Sequence, residues 1–234
     1  MRLLFLFLAL GACAEAGKAS IGGRPDGNIT VADSSGSNAP PIDAFESHID
    51  APPGMQTKTL DENTSDTLVQ NTAPACGNAA GTDVNTYYRV FDLATNGITT
   101  DFHVTQVAFQ VDASGGQTVQ VKVGTYNGTP GTTLATGSMA VAGSNLTVTV
   151  PSTTTGASVT APITNAVIQG SKKLYVEIDS PAGGTLYMGA NSAGESAPGY
   201  IMAPACSINV PTNISSVSAT YPAVHLLITV TGTY

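Results

Sequence analysis

An all-β fold, built as a single antiparallel two-sheet sandwich of jelly-roll size over residues 56–234, is predicted by three observations. Apolar residues recur at every second position in one run after another, the period of a half-buried strand. Turn signals rich in glycine and asparagine separate those runs. After the opening residues, no useful length of chain carries helical periodicity.

Taken along the chain, Asp83 to Leu93 reads as the first dense strand. Its alternation puts Tyr87, Arg89, Phe91 and Leu93 on one face and Tyr88, Val90 and Asp92 on the other. Asn96-Gly97 then marks a turn. Val107, Phe109 and Val111 form the next set, and Ser114-Gly115-Gly116 joins it to Val119, Val121 and Val123, a hairpin signal. Asn127-Gly128 turns the chain again. Leu146, Val148 and Val150 alternate with threonines. Leu174, Val176 and Ile178 alternate with Tyr175, Glu177 and Asp179, and Lys172-Lys173 before them reads as a solvated strand start. Leu226, Ile228 and Val230 form the last set. Pro151, Pro162, Pro181, Pro198, Pro211 and Pro222 are read between or at the ends of runs, where strands tolerate them. About ten short strands of this kind imply a two-sheet sandwich with one core.

Composition agrees. The chain has 234 residues, a net charge of -8, only 10% charged residues and no Trp. Low charge with many β-branched residues suits an exported β protein. Acidity without a basic cluster argues against nucleic acid as a partner.

The opening residues address the protein. Arg2 precedes the apolar run Leu3 to Leu10, too short for a bilayer, which takes about 20 residues, but suited to an export signal. Leu10-Gly11-Ala12-Cys13 resembles the lipobox of bacterial lipoproteins. That resemblance implies a signal over 1–12, a lipidated Cys13 as mature N-terminus, and a membrane partner held through acyl chains. With Ala14 next, it implies an exported, lipid-anchored protein of the outer membrane or cell surface. The alternative is an ordinary secretory signal. Residues 13–55 are rich in Pro, Gly, Ser and Asp and read as a disordered, extended tether.

With Cys13 taken by lipid, Cys76 and Cys206 remain. Each follows Ala-Pro-Ala, and an exported context favours their pairing as a disulfide. The alternative is two buried thiols.

The densest chemistry lies in Asp83 to Leu93. Together with Cys76-Gly77, Val104 to Val111 and Gly199 to Cys206, it resembles a secreted β-sandwich module appended to bacterial cell-surface proteins. The resemblance spans roughly 67–234 and implies location and fold, with no ligand to carry over. From the residues themselves, Tyr87, Tyr88 and Arg89 form a candidate ligand platform at a sheet edge, Tyr and Arg being favoured at binding hot spots. The structural reading is an arginine fixing sheet register, paired with Glu177, Asp112 or Asp92, because a lone buried charge is costly. Asp83, Asn85, Asp92 and Asp101 are candidate calcium ligands, since Ca²⁺ takes about six to eight oxygens. Turn chemistry explains the same residues, and no Asp-x-Asp-x-Asp-Gly loop is present.

His103 and His225 lack a neighbouring His or Cys at metal-ligand spacing. Gly-x-Ser-x-Gly, Ser-x-x-Lys and His-Glu-x-x-His are absent from the chain. The expected function is therefore non-catalytic, with no cofactor beyond the calcium question. The sandwich would bind an extracellular ligand: polysaccharide, matrix or envelope protein. Without Trp, Tyr126, Tyr187, Tyr200 and Tyr221 are left to stack sugars. The alternatives are a structural envelope component, or an exported hydrolase whose site is assembled from distant loops.

Overall fold

Period-two burial lays down an all-β domain in the computed structural model, which describes residues 54–217 and 223–234. In chain order the strands are β1 (Thr57–Leu60), β2 (Gly77–Asn78), β3 (Gly81–Thr82), β4 (Asn85–Asp92), β5 (Phe102–Ser114) and β6 (Thr118–Tyr126). They continue as β7 (Met139–Val141), β8 (Leu146–Thr149), β9 (Ala157–Ile168), β10 (Lys173–Ser180), β11 (Leu186–Met188) and β12 (Ala190–Asn191). The last are β13 (Gly199–Ala203), β14 (Ile208–Asn213), β15 (His225–Leu226) and β16 (Ile228–Thr233). Cys13, the signal at 1–12 and all of the tether but Gly54 and Met55 lie outside the described residues.

Two sheets carry the fold, and their pairings are antiparallel. In the five-stranded sheet, β5 has β9 along one side, with β16 and then β11 along the other, and β1 pairs with β16. The seven-stranded sheet runs β14-β13-β4-β10-β6-β7, with β8 also on β6. One sheet curls into a half-barrel. Between the sheets, Val107, Phe109 and Val111 from β5 meet Val119, Val121 and Val123 from β6 and Leu174, Val176 and Ile178 from β10 in one core. Each such side chain, fully buried, contributes about 1.5–3 kcal/mol.

The glycine turn after β5 is not a hairpin. β5 and β6 belong to different sheets, so Ser114 to Gln117 is a corner that carries the chain across the sandwich. Its N–H groups go to other loops: Ser114 N donates to Thr153 O at 2.9 Å and Gly115 N to Thr185 O at 2.8 Å. Gly116, at φ 90°, lets the backbone turn where a side chain would be strained. Pro162 and Pro211 also depart from expectation, lying inside β9 and β14. Both are outer strands of their sheets, and Pro162 sits at a register shift, which is where a missing N–H is tolerated.

Cys76 and Cys206 form the expected disulfide, with Cα atoms 5.9 Å apart and a sequence separation of 130. Such bonds form in oxidising, extracytoplasmic compartments.

A second, smaller cluster sits on the outer face of the seven-stranded sheet: Tyr88, Val90, Tyr126, Tyr175 and Tyr200 under Leu134. Tyr200 donates its hydroxyl to Gly131 O at 3.1 Å, and Tyr126 accepts from Ala135 N at 3.2 Å. Burial, first, pushes Tyr175 and Tyr200 up to about 12 from 10.0. Burial drives Tyr88 upward too, with the Glu177 carboxylate adding to it. A folded-state value above the unfolded one contributes stability that is complete below the unfolded value and lost as pH rises through the folded one. The denaturation midpoint is therefore expected to hold steady to about pH 10 and to fall between 10 and 12. Phenolate absorbance should rise together with loss of the β circular-dichroism signal. A midpoint that stays level through that range would show rings open to solvent.

Candidate functional site

Strand β4 lies inside its sheet, between β13 and β10, and is buried on both faces. Tyr87, Tyr88 and Arg89 are therefore core residues and not an edge platform. Tyr87 is fully covered and donates its hydroxyl to Pro74 O at 3.0 Å. Arg89 is 0% exposed; both of its Nη atoms are partnered, while its Nε makes no hydrogen bond. Its Nη1 donates to Glu195 Oε2 at 2.5 Å and to Ala197 O at 3.0 Å, and its Nη2 to Asn63 Oδ1 at 2.7 Å. The other oxygen of Glu195 lies 3.0 Å from His225 Nδ1. This network joins the loop before β13 to β4 and β15.

None of the three acids expected for Arg89 is its partner. Glu177 pairs with Lys122 at 2.5 Å, Asp112 accepts from Asn71 N, and Asp92 faces Lys173 at 3.7 Å. Lys122 also reaches Asp179 at 2.5 Å, a charged row on the outer face of β6 and β10. Glu195 is separated from Arg89 by more than a hundred residues of chain, and nothing in local periodicity links them.

The four candidate calcium ligands are not brought together. Asp83 and Asn85 stand at the start of β4, Asp92 at its end, roughly 23 Å away by strand rise. The Asn85 amide is spent on the backbone: Oδ1 accepts from Cys76 N at 2.8 Å, and Nδ2 donates to Cys76 O and Asp83 O, each at 2.9 Å. Asp92 caps a turn by accepting from Thr95 N at 3.2 Å, and Asp101 is exposed in the loop before β5. Among the described residues no group of three His, Cys, Asp or Glu side chains converges as a metal site would require.

The four tyrosines proposed to stack sugars also separate. Tyr126 and Tyr200 are buried within the second cluster, and Tyr221 lies outside the described residues. Tyr187 is 36% exposed. It belongs to β11, whose neighbours Leu186 and Met188 point into the core, so alternation turns its ring outward. It pairs with Ala113 of β5, while Met188 pairs with Val111. Asp112 is thus the extra residue of a β-bulge, a device that bends a strand and re-aims a side chain.

That bulge faces a crossing segment. Val69 N donates to Ala190 O at 2.9 Å, and Thr72 Oγ1 to Val69 O at 2.7 Å, pinning the turn at Gln70-Asn71 over the sheet. Asn71 sits at φ 62°, a conformation Asn tolerates better than most residues. Its N–H donates to Asp112 Oδ2 at 2.8 Å, while Gln70 Nε2 donates to Thr154 O at 3.3 Å. Together Gln70, Asn71, Asp112, Ala113, Thr154 and Tyr187 line an open cleft of about 380 Å³. The cleft thus sets one apolar ring face beside several directional polar groups.

Sequence reasoning singled out Tyr187, named Asp112 only as a candidate partner of Arg89, and missed the rest. A signal for the bulge exists in Val111-Asp112-Ala113-Ser114, where the alternation of β5 loses its phase. In comparisons with family models, curated proteins and solved structures, nothing matches this chain.

Proposed function

We propose that this protein is a non-catalytic carbohydrate-binding protein acting outside the cytoplasm, tethered to the membrane through a lipidated Cys13, with Tyr187 as the anchor of its binding cleft. The observation that carries the reading is Tyr187, an outward aromatic ring set beside Asp112, Asn71 and Gln70. The disulfide supports an oxidising compartment, and the lipobox resemblance supports the anchor. Polymeric glycan or matrix fits an open cleft, which lets a chain enter and leave laterally.

The test is a glycan array probed with the full-length protein, followed by titration of each hit. Tyr187→Ala is expected to weaken binding at least tenfold, in keeping with the loss of an aromatic anchor, with no change in melting temperature. An array that retains no wild-type protein would sink the reading in favour of a ligand-free envelope component. Mass spectrometry of the membrane-extracted protein is expected to find acyl chains on Cys13.

A further inference from the structure

We infer that Asp112 sets the specificity of the Tyr187 cleft, which takes an uncharged pyranose and turns away uronic, sialic and phosphorylated sugars. This rests on the carbohydrate reading of the same cleft. Asp112 is 6% exposed, yet its carboxylate lines the cleft. Oδ2 is taken by the Asn71 N–H, which fixes the plane of the group. Oδ1 has no hydrogen-bond partner among the described residues. A carboxylate is an acceptor only, and this second oxygen, not sealed from solvent, is open to a donor from a ligand in the cleft.

A pyranose supplies them. Its neighbouring hydroxyls are donors, and a hydrogen bond to a carboxylate is stronger than a neutral one. The Gln70 and Asn71 side-chain amides add groups that both give and accept. One exposed ring stacks one sugar, and the cleft volume, at the small end for ligand sites, suits one or two sugar units.

Charge completes the selection. No Lys or Arg is among the lining residues, so nothing offsets a second negative charge brought against Asp112. In a partly desolvated cleft, like charges at close range repel strongly and discriminate between partners.

The experiment compares full-length protein on two polymers of one backbone, fully methyl-esterified polygalacturonate, which is neutral, and the de-esterified polygalacturonate, by affinity electrophoresis at fixed ionic strength. The wild-type protein is expected to bind the neutral polymer at least tenfold more tightly. Asp112→Asn keeps the shape but not the charge, and should weaken neutral binding about tenfold while narrowing the gap between the polymers. Thr154→Lys, at an exposed lining position, leaves Asp112 and its Asn71 partner in place and should raise polygalacturonate binding at least threefold. Equal wild-type affinity for both polymers, or an Asp112→Asn protein that behaves as wild type, would overturn the inference. If neutral binding is lost on Tyr187→Ala yet indifferent to Asp112, only the role of Asp112 falls. If wild-type protein binds no saccharide of either kind, the carbohydrate reading falls with it.

Discussion

Arg89→Ala is expected to lower the unfolding free energy by about 3–5 kcal/mol, the usual cost of removing one partner from a buried ion pair. Arg89 is 0% exposed and Glu195 12%. Without the guanidinium, Glu195 keeps His225 Nδ1 as its one close basic neighbour among the described residues, while Asn63 Oδ1 and Ala197 O lose their donor. An unpaired buried acceptor costs its full desolvation, and the truncated side chain leaves a void as well. For a domain of this size the loss corresponds to a fall in melting temperature of roughly 6–20 °C. The contrast that isolates electrostatics is the double variant Arg89→Met with Glu195→Leu. Replacing both charges by apolar groups of similar bulk is often neutral, so the double variant should melt well above Arg89→Ala. Differential scanning calorimetry of the wild type, the single and the double variants decides it. If Arg89→Ala melts within about 2 °C of the wild type, the network is ornamental to stability.

Removing the disulfide has an effect of the same order. Cys76→Ser or Cys206→Ser opens a crosslink that closes 130 residues of chain. The chain-entropy relation gives such a loop about 5 kcal/mol, and measured losses run from about 2 to 5. Either single variant, or wild type held in reductant, should therefore melt roughly 5–20 °C lower. The three samples should agree with one another, since each lacks the same bond. A wild-type melting curve insensitive to reductant, with the bond verified as broken, would refute the proposed contribution. The proposed binding at the Tyr187 cleft should survive in the variants below their melting transitions, because neither cysteine lines it.

How much of this could be read in the residues alone depends on range. Alternation within one strand is a local property, so the facing of Tyr87 and Phe91 against Tyr88 and Val90 was legible, and the two clusters confirm it. The pairing of Cys76 with Cys206 followed from cysteine arithmetic and compartment chemistry. The partner of Arg89 did not follow, because Glu177, Asp112 and Asp92 are no worse candidates on paper than Glu195. The Ser114-Gly115-Gly116 turn misled because glycine reports that the chain bends, not which sheet it enters next. Asp112 shows the same limit at the cleft. Its place in the cleft arises from a bulge register and from a turn 41 residues earlier, and neither leaves more than a slipped alternation behind.

The pairing of β1 with β16 has a bearing on how such a chain becomes a working molecule. Thr57 lies against Thr233, and Leu60 against Val230, so the earliest strand waits for the latest before its edge is satisfied. The corner at Ser114 likewise withholds the easy local zipper that a hairpin would provide. Non-local topologies of this kind mature in milliseconds to seconds, not microseconds. A chain of this topology would therefore spend that interval with unpaired, valine-rich edges facing its surroundings, where they can pair wrongly with other chains.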